Sequence, residues 1–130
     1  MVHLAAARMT LLFIPFPRIA RYLGVFSPPA AGYQHGQPPN PAPDQIQTAS
    51  EIGWAVRRVA RRMPFRADCL PQAMAAKWML RRRGVVAVMF IGGAKDANGL
   101  LETHAWLLAA GVEVTGYPVA YDFTPVSSCI

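Results

Sequence analysis

The sequence predicts an α+β domain in which helices pack on a small antiparallel sheet, with a helical arm in front. Two observations lead to this fold class. Apolar residues recur at helical intervals in the middle of the chain, from about residue 48 to residue 83. Short β-branched and apolar runs, separated by turns that contain glycine, follow them. The chain has 130 residues, 53% hydrophobic and 15% charged, which suits one folded core and excludes a disordered protein.

Three regions divide the chain. Residues 1–26 are predicted to form a hydrophobic helical arm, which two prolines interrupt. Residues 27–45 are rich in proline and are predicted to form a linker or a long surface loop. Residues 46–130 are predicted to form the functional core. The apolar run Met9–Phe16 is far shorter than the ~20 residues that a membrane span requires, so only a surface contact between the arm and a membrane stays open.

Two helices are expected in the core. The first begins at Thr48–Glu51, which has the spacing of a capping box, and Pro64 ends it. The second begins after Asp68, a good N-cap residue, with Cys69 at its first helical position. It ends just before Gly84, the residue type that commonly follows a helix C-terminus. Small or apolar residues occupy most of its faces, which predicts the central buried helix of the domain.

Strands are expected after the helices. Gly92 and Gly93 are assigned to the loop after the first strand, and Ala110–Gly111 to a tight turn. The four strands are expected at Val85–Ile91, Leu100–Leu108, Val112–Thr115 and around Phe123. Two helices followed by an antiparallel meander give the α+β class.

Charge and composition limit the partners. Thirteen Lys and Arg residues against seven Asp and Glu give a net charge of +6, which suits an acidic peptide, a membrane surface or nucleic acid. The arginine runs contain few aromatic residues, so nucleic acid is not predicted. No phosphate-binding loop occurs, and His3 and His35 lack ligand partners, so no cofactor or metal is predicted. Two cysteines and no convincing targeting signal predict a cytoplasmic protein.

Cys69 and His104 are the candidate catalytic residues. A helix N-terminus supplies partial positive charge and free backbone N–H groups, which favour a thiolate at Cys69 and can bind an oxyanion. His104 lies on an expected strand, where a histidine could accept the thiol proton and later protonate a leaving amine. Trp106 follows on the same face of that strand and is expected to pack under the histidine, line the substrate cleft or belong to the sheet core.

Several segments resemble the transglutaminase-like leader peptidases of lasso-peptide biosynthesis. That family has a Cys-Leu helix start followed by Ala, a Leu-Leu-Arg-Arg-Gly-like helix end and a His-Ala-Trp strand. The matching segments here, in chain order, are Leu11–Arg18 (LLFIPFPR), Arg61–Ala75 (RRMPFRADCLPQAMA), Leu80–Gly84 (LRRRG), Ile91–Gly92 and Thr103–Trp106 (THAW). The ordered set is more specific than any one of these segments alone.

The resemblance implies a papain- and transglutaminase-like fold and a peptidase that removes the leader from a ribosomally made precursor peptide. In that family an ATP-dependent cyclase then closes the lasso, and a small leader-recognition domain is either fused to the peptidase or encoded separately. The first 45 residues hold only the arm and the linker, so this chain is expected to be the split form. Its expected partners are the precursor leader, a separate recognition protein and the cyclase.

The third catalytic residue departs from the family pattern. The family has an Asp about a dozen residues after the histidine, where this chain has Thr115–Tyr117 without an acid. Glu113 should pair opposite Leu108, which lies four residues after His104 on the same strand. That spacing separates Glu113 from His104 by ~13 Å, which is too far for a hydrogen bond. Asp122 is the candidate orienting acid, and a backbone carbonyl or an amide side chain is the alternative, since this third group mainly orients the base.

Two other functions remain open at this stage. Transglutaminase or amidase chemistry would use the same Cys69 and His104 with a different acceptor. A non-enzymatic basic binding module would make both residues packing residues, as most lone buried cysteines are. Iodoacetamide labelling separates the second possibility from the enzymes, because a buried structural thiol does not react.

Overall fold

The computed structural model describes residues 2–3, 5–6, 26–27, 40–62 and 68–130. Residues 2–3 and 5–6 are helical. The remainder of the predicted arm helix, the proline-rich residues 28–39 and the expected helix end at Pro64 lie outside the described residues.

The first core helix, α1, spans Pro43–Ala60 and so begins five residues before the predicted Thr48. Pro43 stands in its first turn with Asp44, and both residue types favour a helix start. The Gln45 side-chain Oε1 accepts a hydrogen bond from the Ala42 N–H at 3.4 Å. The Thr48–Glu51 spacing therefore lies inside the helix, and its capping-box interpretation was wrong.

The second core helix, α2, spans Cys69–Arg82 and confirms the prediction closely. Asp68 is its N-cap residue in an extended conformation, and Cys69 is the first helical residue. Gly84, two residues past the helix, has a φ of +69°, the left-handed conformation that ends helices. Most of α2 is buried, as expected for the central helix of the domain.

The sheet has five strands, and every neighbouring pair is antiparallel. The strands are β1 (Phe26–Ser27), β2 (Ala87–Lys95), β3 (Leu101–Ala109), β4 (Val112–Thr115) and β5 (Thr124–Cys129). Their order across the sheet is β1-β5-β2-β3-β4, with β4 at one edge. Two helices on an antiparallel sheet confirm the predicted α+β class.

Gly92 and Gly93 lie within β2, so their assignment to a loop was wrong. The reason is the indole ring of Trp106 on the neighbouring strand. A Cβ atom on Gly92 would lie 2.6 Å from the Trp106 Cη2 atom and 2.6 Å from the Thr124 carbonyl oxygen. Glycine therefore occurs here because it makes room for a large ring, and it does not end the strand.

The turn between β3 and β4 follows the prediction. Ala110 and Gly111 both have positive φ, 49° and 74°, as a tight hairpin turn with the strand twist requires. Leu108 pairs with Glu113 across this hairpin, which confirms the predicted register. Phe123 lies one residue before the fourth of the predicted strands, which is β5 here.

Side chains pack on both faces of the sheet. The helix-side cluster lies between the helices and the sheet, and Ala105 and Leu107 of β3 belong to it. The opposite cluster covers the other face and consists of Val88, Phe90, Trp106 and Ala120 with Leu108, Tyr117 and Phe123 around them. Alternate residues of β3 thus enter different clusters, as the strand period requires.

Helix α1 covers the β4 edge of the sheet. Gly53 approaches the backbone so closely that a Cβ atom there would lie 2.8 Å from the Val114 carbonyl oxygen. The Arg57 guanidinium donates a hydrogen bond to that same carbonyl. A strand edge that is occupied in this way is protected from pairing with another chain.

Among the parts of the chain that are described, no helix combines the length and apolar character needed to cross a bilayer.

Candidate active site

Cys69 opens the central helix. It is the first residue of α2, half-buried, and packs against the helix-side cluster. The first backbone N–H groups of a helix have no partner within the helix and carry the positive end of its dipole. A nucleophile at this position therefore has hydrogen-bond donors beside it that can receive an oxyanion.

His104 lies in the middle of β3, opposite Gly92 of β2. Its Nε2 atom is 2.8 Å from the carbonyl oxygen of Gly116, and the contact is partly buried. A carbonyl oxygen can only accept, so Nε2 carries the hydrogen and donates it. In the neutral imidazole the other ring nitrogen, Nδ1, is then the proton acceptor.

Two aromatic rings fix the imidazole plane. The His104 ring centroid lies 5.0 Å from that of Phe123 and 6.1 Å from that of Trp106, and the latter pair is stacked. Trp106 also stacks on Phe90 at 5.6 Å. Because Trp106 is 3% exposed, it offers little surface to a substrate in this structure, and the predicted substrate-binding role is not supported. It packs beside the histidine, as the alternative prediction stated.

The acids considered for the third position are elsewhere. Asp122 is exposed at the end of the short 3₁₀ helix Val119–Asp122, and the acceptor for His104 is the Gly116 carbonyl. The structure therefore does not give Asp122 the orienting role that was predicted for it. Glu113 is turned to another partner, since its carboxylate accepts a hydrogen bond from the Tyr121 hydroxyl.

The structure does not join Cys69 to His104. Both residues are described, and no hydrogen bond connects the thiol with the imidazole. Cys69 packs against the helix-side cluster, whereas the His104 ring contacts Trp106 and Phe123 of the opposite cluster. The structure therefore brings His104 together with Gly116, Trp106 and Phe123. Cys69 lies at the start of α2, in the cluster on the other face of the sheet.

The second cysteine differs from the first in its environment. Cys129 is fully buried in β5, and burial raises the pKa of its thiol, an effect that the nearby Lys77 ammonium opposes. Burial also lowers the pKa of Lys77, whose Nζ donates to the Ala87 carbonyl at 3.0 Å. A buried thiol kept in its neutral form is a packing residue, so Cys129 is not a second candidate nucleophile.

Gly116 and Phe123 are the site residues that the sequence analysis missed. A signal for the first was present, because Gly116 stands where the resembling family has its acid. Phe123 gave no signal beyond being an aromatic residue near an expected strand. Among the residues that the structure describes, no group of His, Cys, Asp and Glu side chains is arranged to hold a metal ion.

A family model described as the transglutaminase-like superfamily matches residues 10–128. The chain belongs to the transglutaminase-like superfamily. No curated protein and no solved structure gives a significant match. The superfamily match begins at residue 10, within the predicted arm region, and covers both core helices and the sheet as far as Ser128. The helices on an antiparallel sheet agree with it.

Membership of the transglutaminase-like superfamily indicates cysteine hydrolase or acyltransferase activity of the peptidase or transglutaminase type. In such chemistry a cysteine at a helix start is the nucleophile and a histidine is the proton carrier.

Proposed function

We propose that this protein is a cysteine peptidase that removes the leader from a ribosomally made lasso precursor peptide. The observation that carries the proposal is the position of Cys69, half-buried at the first turn of the central helix of a transglutaminase-like domain. The fixed orientation of His104, with Nε2 bonded to Gly116, supports it further because Nδ1 is left as the proton acceptor. The resemblance of the Cys, Arg-Gly and His-Ala-Trp segments to leader peptidases supplies the substrate class.

The reaction would proceed in two stages. The Cys69 sulfur attacks the carbonyl carbon of the scissile peptide bond and passes its proton to Nδ1 of His104. Backbone N–H groups at the start of α2 donate to the oxyanion of the tetrahedral intermediate. The C–N bond breaks, His104 protonates the departing amine of the core peptide, and the leader remains as a thioester on Cys69. Water, deprotonated by His104, then releases the leader as a carboxylic acid and restores the thiol.

This mechanism requires the Cys69 and His104 side chains to approach one another. In this structure the two side chains pack with clusters on different faces of the sheet, so their approach is a rearrangement of packing and not the tightening of an existing hydrogen bond. We propose that this rearrangement takes place when the substrate binds.

The proposed partners follow from the same chemistry. We propose that a separate leader-recognition protein presents the precursor, and that an ATP-dependent lasso cyclase uses the new N-terminus. The protein is proposed to work in the cytoplasm, where its two free thiols would stay reduced.

The test compares two matched cysteine variants. Cys69→Ala, mixed with the recognition protein and the precursor, is expected to lose leader cleavage by at least ~10³-fold, because no nucleophile remains. Cys129→Ala makes the same chemical change at a buried site and is expected to keep activity within about threefold. Cleavage is followed by mass spectrometry of the two product peptides. Full activity of Cys69→Ala would refute the assignment.

The same mass spectra separate leader removal from the other chemistry of the superfamily. Hydrolysis of the precursor gives a fragment smaller by the whole leader. A transglutaminase product would be a cross-link with loss of ammonia, and an amidase product would change by about one dalton through deamidation. Either of these products would replace the peptidase assignment while keeping Cys69 as nucleophile.

A further inference from the structure

Gly116 occupies a place that no other residue type fits. Its φ is +84°, in the left-handed region that side chains disfavour. A Cβ atom there would lie 2.6 Å from the Trp106 Cβ and 2.7 Å from the Ala105 carbonyl oxygen. The backbone of residue 116 is thus pressed against β3 directly beside His104.

The Gly116 carbonyl is itself held in place. It accepts the His104 Nε2–H at 2.8 Å and the Ala120 backbone N–H at 2.9 Å. The second bond closes the turn that carries the 3₁₀ helix Val119–Asp122, so the direction of the carbonyl is set by the backbone. With two donors the oxygen uses both of its lone pairs.

We propose that the Gly116 backbone carbonyl is the positioning group for His104, in place of an acidic side chain. The hydrogen bond is observed, whereas its role in catalysis rests on the proposed function. The carbonyl selects the tautomer with hydrogen on Nε2 and holds the ring so that Nδ1 is the base. The buried Trp106 ring stacks on the His104 ring, and the Cα and Cβ atoms of Trp106 lie against the Gly116 backbone, so one residue packs beside both partners of the bond.

A backbone acceptor differs from a carboxylate in one chemical respect that bears on the mechanism. It accepts a hydrogen bond but takes up no proton at ordinary pH, so its contribution is orientation and choice of tautomer. The sequence position agrees with this replacement, because Gly116 is 12 residues after His104.

The test uses two glycines whose positive φ angles would strain an alanine to a similar degree. Gly116→Ala must move the carbonyl and is expected to lower kcat by roughly 10²-fold, as displacement of a catalytic group by about 1 Å does. KM should change little, because the substrate contacts are untouched. Gly111→Ala has a similar φ, 74°, but nothing lies within 4 Å of its added Cβ, so it controls for backbone strain alone. It is expected to keep kcat within about threefold.

A second measurement needs no variant. The ¹⁵N spectrum of the His104 side chain in the unsubstituted protein should show hydrogen on Nε2 and an unprotonated Nδ1 at alkaline pH. Hydrogen on Nδ1 would overturn the proposal.

The kinetics can overturn it in two further ways. One is a folded Gly116→Ala variant with wild-type kcat. The other is an Asp122→Asn variant whose kcat falls as far as that of Gly116→Ala, which would return the positioning role to the Asp122 carboxylate. Absence of any peptidase activity in the unsubstituted protein, with hydrogen on Nε2, would reject the proposed function and leave the contact itself intact.

Discussion

The two thiols of this protein are chemically identical and lie in opposite environments. Cys69 is half-buried at the positive end of a helix, where an attacking reagent can reach it. Cys129 lies inside β5 with no exposed surface, and burial raises its pKa against the opposing charge of Lys77. The position of each cysteine in the fold therefore decides which thiol is available for chemistry.

Iodoacetamide at neutral pH should distinguish the two residues. We expect one adduct on the native protein, at Cys69, formed at least ~10-fold faster than any at Cys129, because only a thiolate that reagent can reach reacts. Both should react after unfolding in guanidinium chloride. Peptide mass mapping locates the adduct. Cys69→Ala is the control and should give no native adduct; fast native labelling at Cys129 would contradict the burial that the structure shows.

At the scale of the elements, the close approach of α1 to β4 fixes the edge of the sheet. The helix reaches the strand because residue 53 has no side chain, and the Arg57 guanidinium then donates to the Val114 carbonyl at the edge of the sheet. The glycine costs helix stability, about 1 kcal/mol relative to alanine. Its presence is explained by the packing that it permits.

Gly53→Ala is therefore expected to lower the free energy of unfolding by about 1–2 kcal/mol, because overpacking against backbone costs more than the helix propensity returns. Urea unfolding followed by circular dichroism measures this. Ser50→Ala, on the exposed face of the same helix, is the control and should change stability by no more than about 0.5 kcal/mol. Equal stabilisation by both alanines would show that α1 does not press on β4.

The sequence predicted the elements whose signals are local. The start of α2 at Asp68–Cys69, the Ala110–Gly111 turn and β4 all depend on neighbouring residues and were confirmed. The roles of Gly92 and Gly116 could not be derived locally, because Gly92 makes room for the Trp106 ring and Gly116 lies against the Ala105–Trp106 backbone of β3. The candidate site was predictable as residue types, whereas the acceptor for His104 is a backbone atom that no side-chain pattern encodes.

For the whole molecule, the net charge is +6, and exposed arginines gather in the last turns of both core helices. The last turns of α1 carry exposed arginines at the end from which the chain leads to Cys69. Trp54 is 57% exposed there, and the Arg58 guanidinium lies 5.0 Å from its ring centroid. An exposed aromatic ring with cations around it suits an acidic segment with apolar residues, and we propose it as the contact for an acidic leader.

Charge reversal on this surface tests the contact. In a Cys69→Ala background, Arg58→Glu with Arg61→Glu should weaken binding of a fluorescein-labelled, glutamate-rich dodecapeptide by at least ~10-fold. The same charge change at the far end of α2, Arg81→Glu with Arg83→Glu, should cost less than about threefold. Fluorescence anisotropy gives both affinities, and the difference should shrink between about 0.05 and about 0.5 M NaCl. An equal loss of affinity in the two variants would mean that the peptide is attracted by the overall positive charge and not by this surface, which would contradict the proposed contact.

The two-residue strand β1 limits where the chain can be divided. Phe26 pairs with Cys129 and Ser27 with Ser128, so a segment from before the proline-rich region completes the sheet beside the last strand. Helix α1 in turn begins at Pro43, inside the region that was expected to be linker. Both predicted boundaries, 26/27 and 45/46, thus cut through secondary structure. The shortest fragment that retains every strand of the sheet must start no later than Phe26 and extend at least to Cys129.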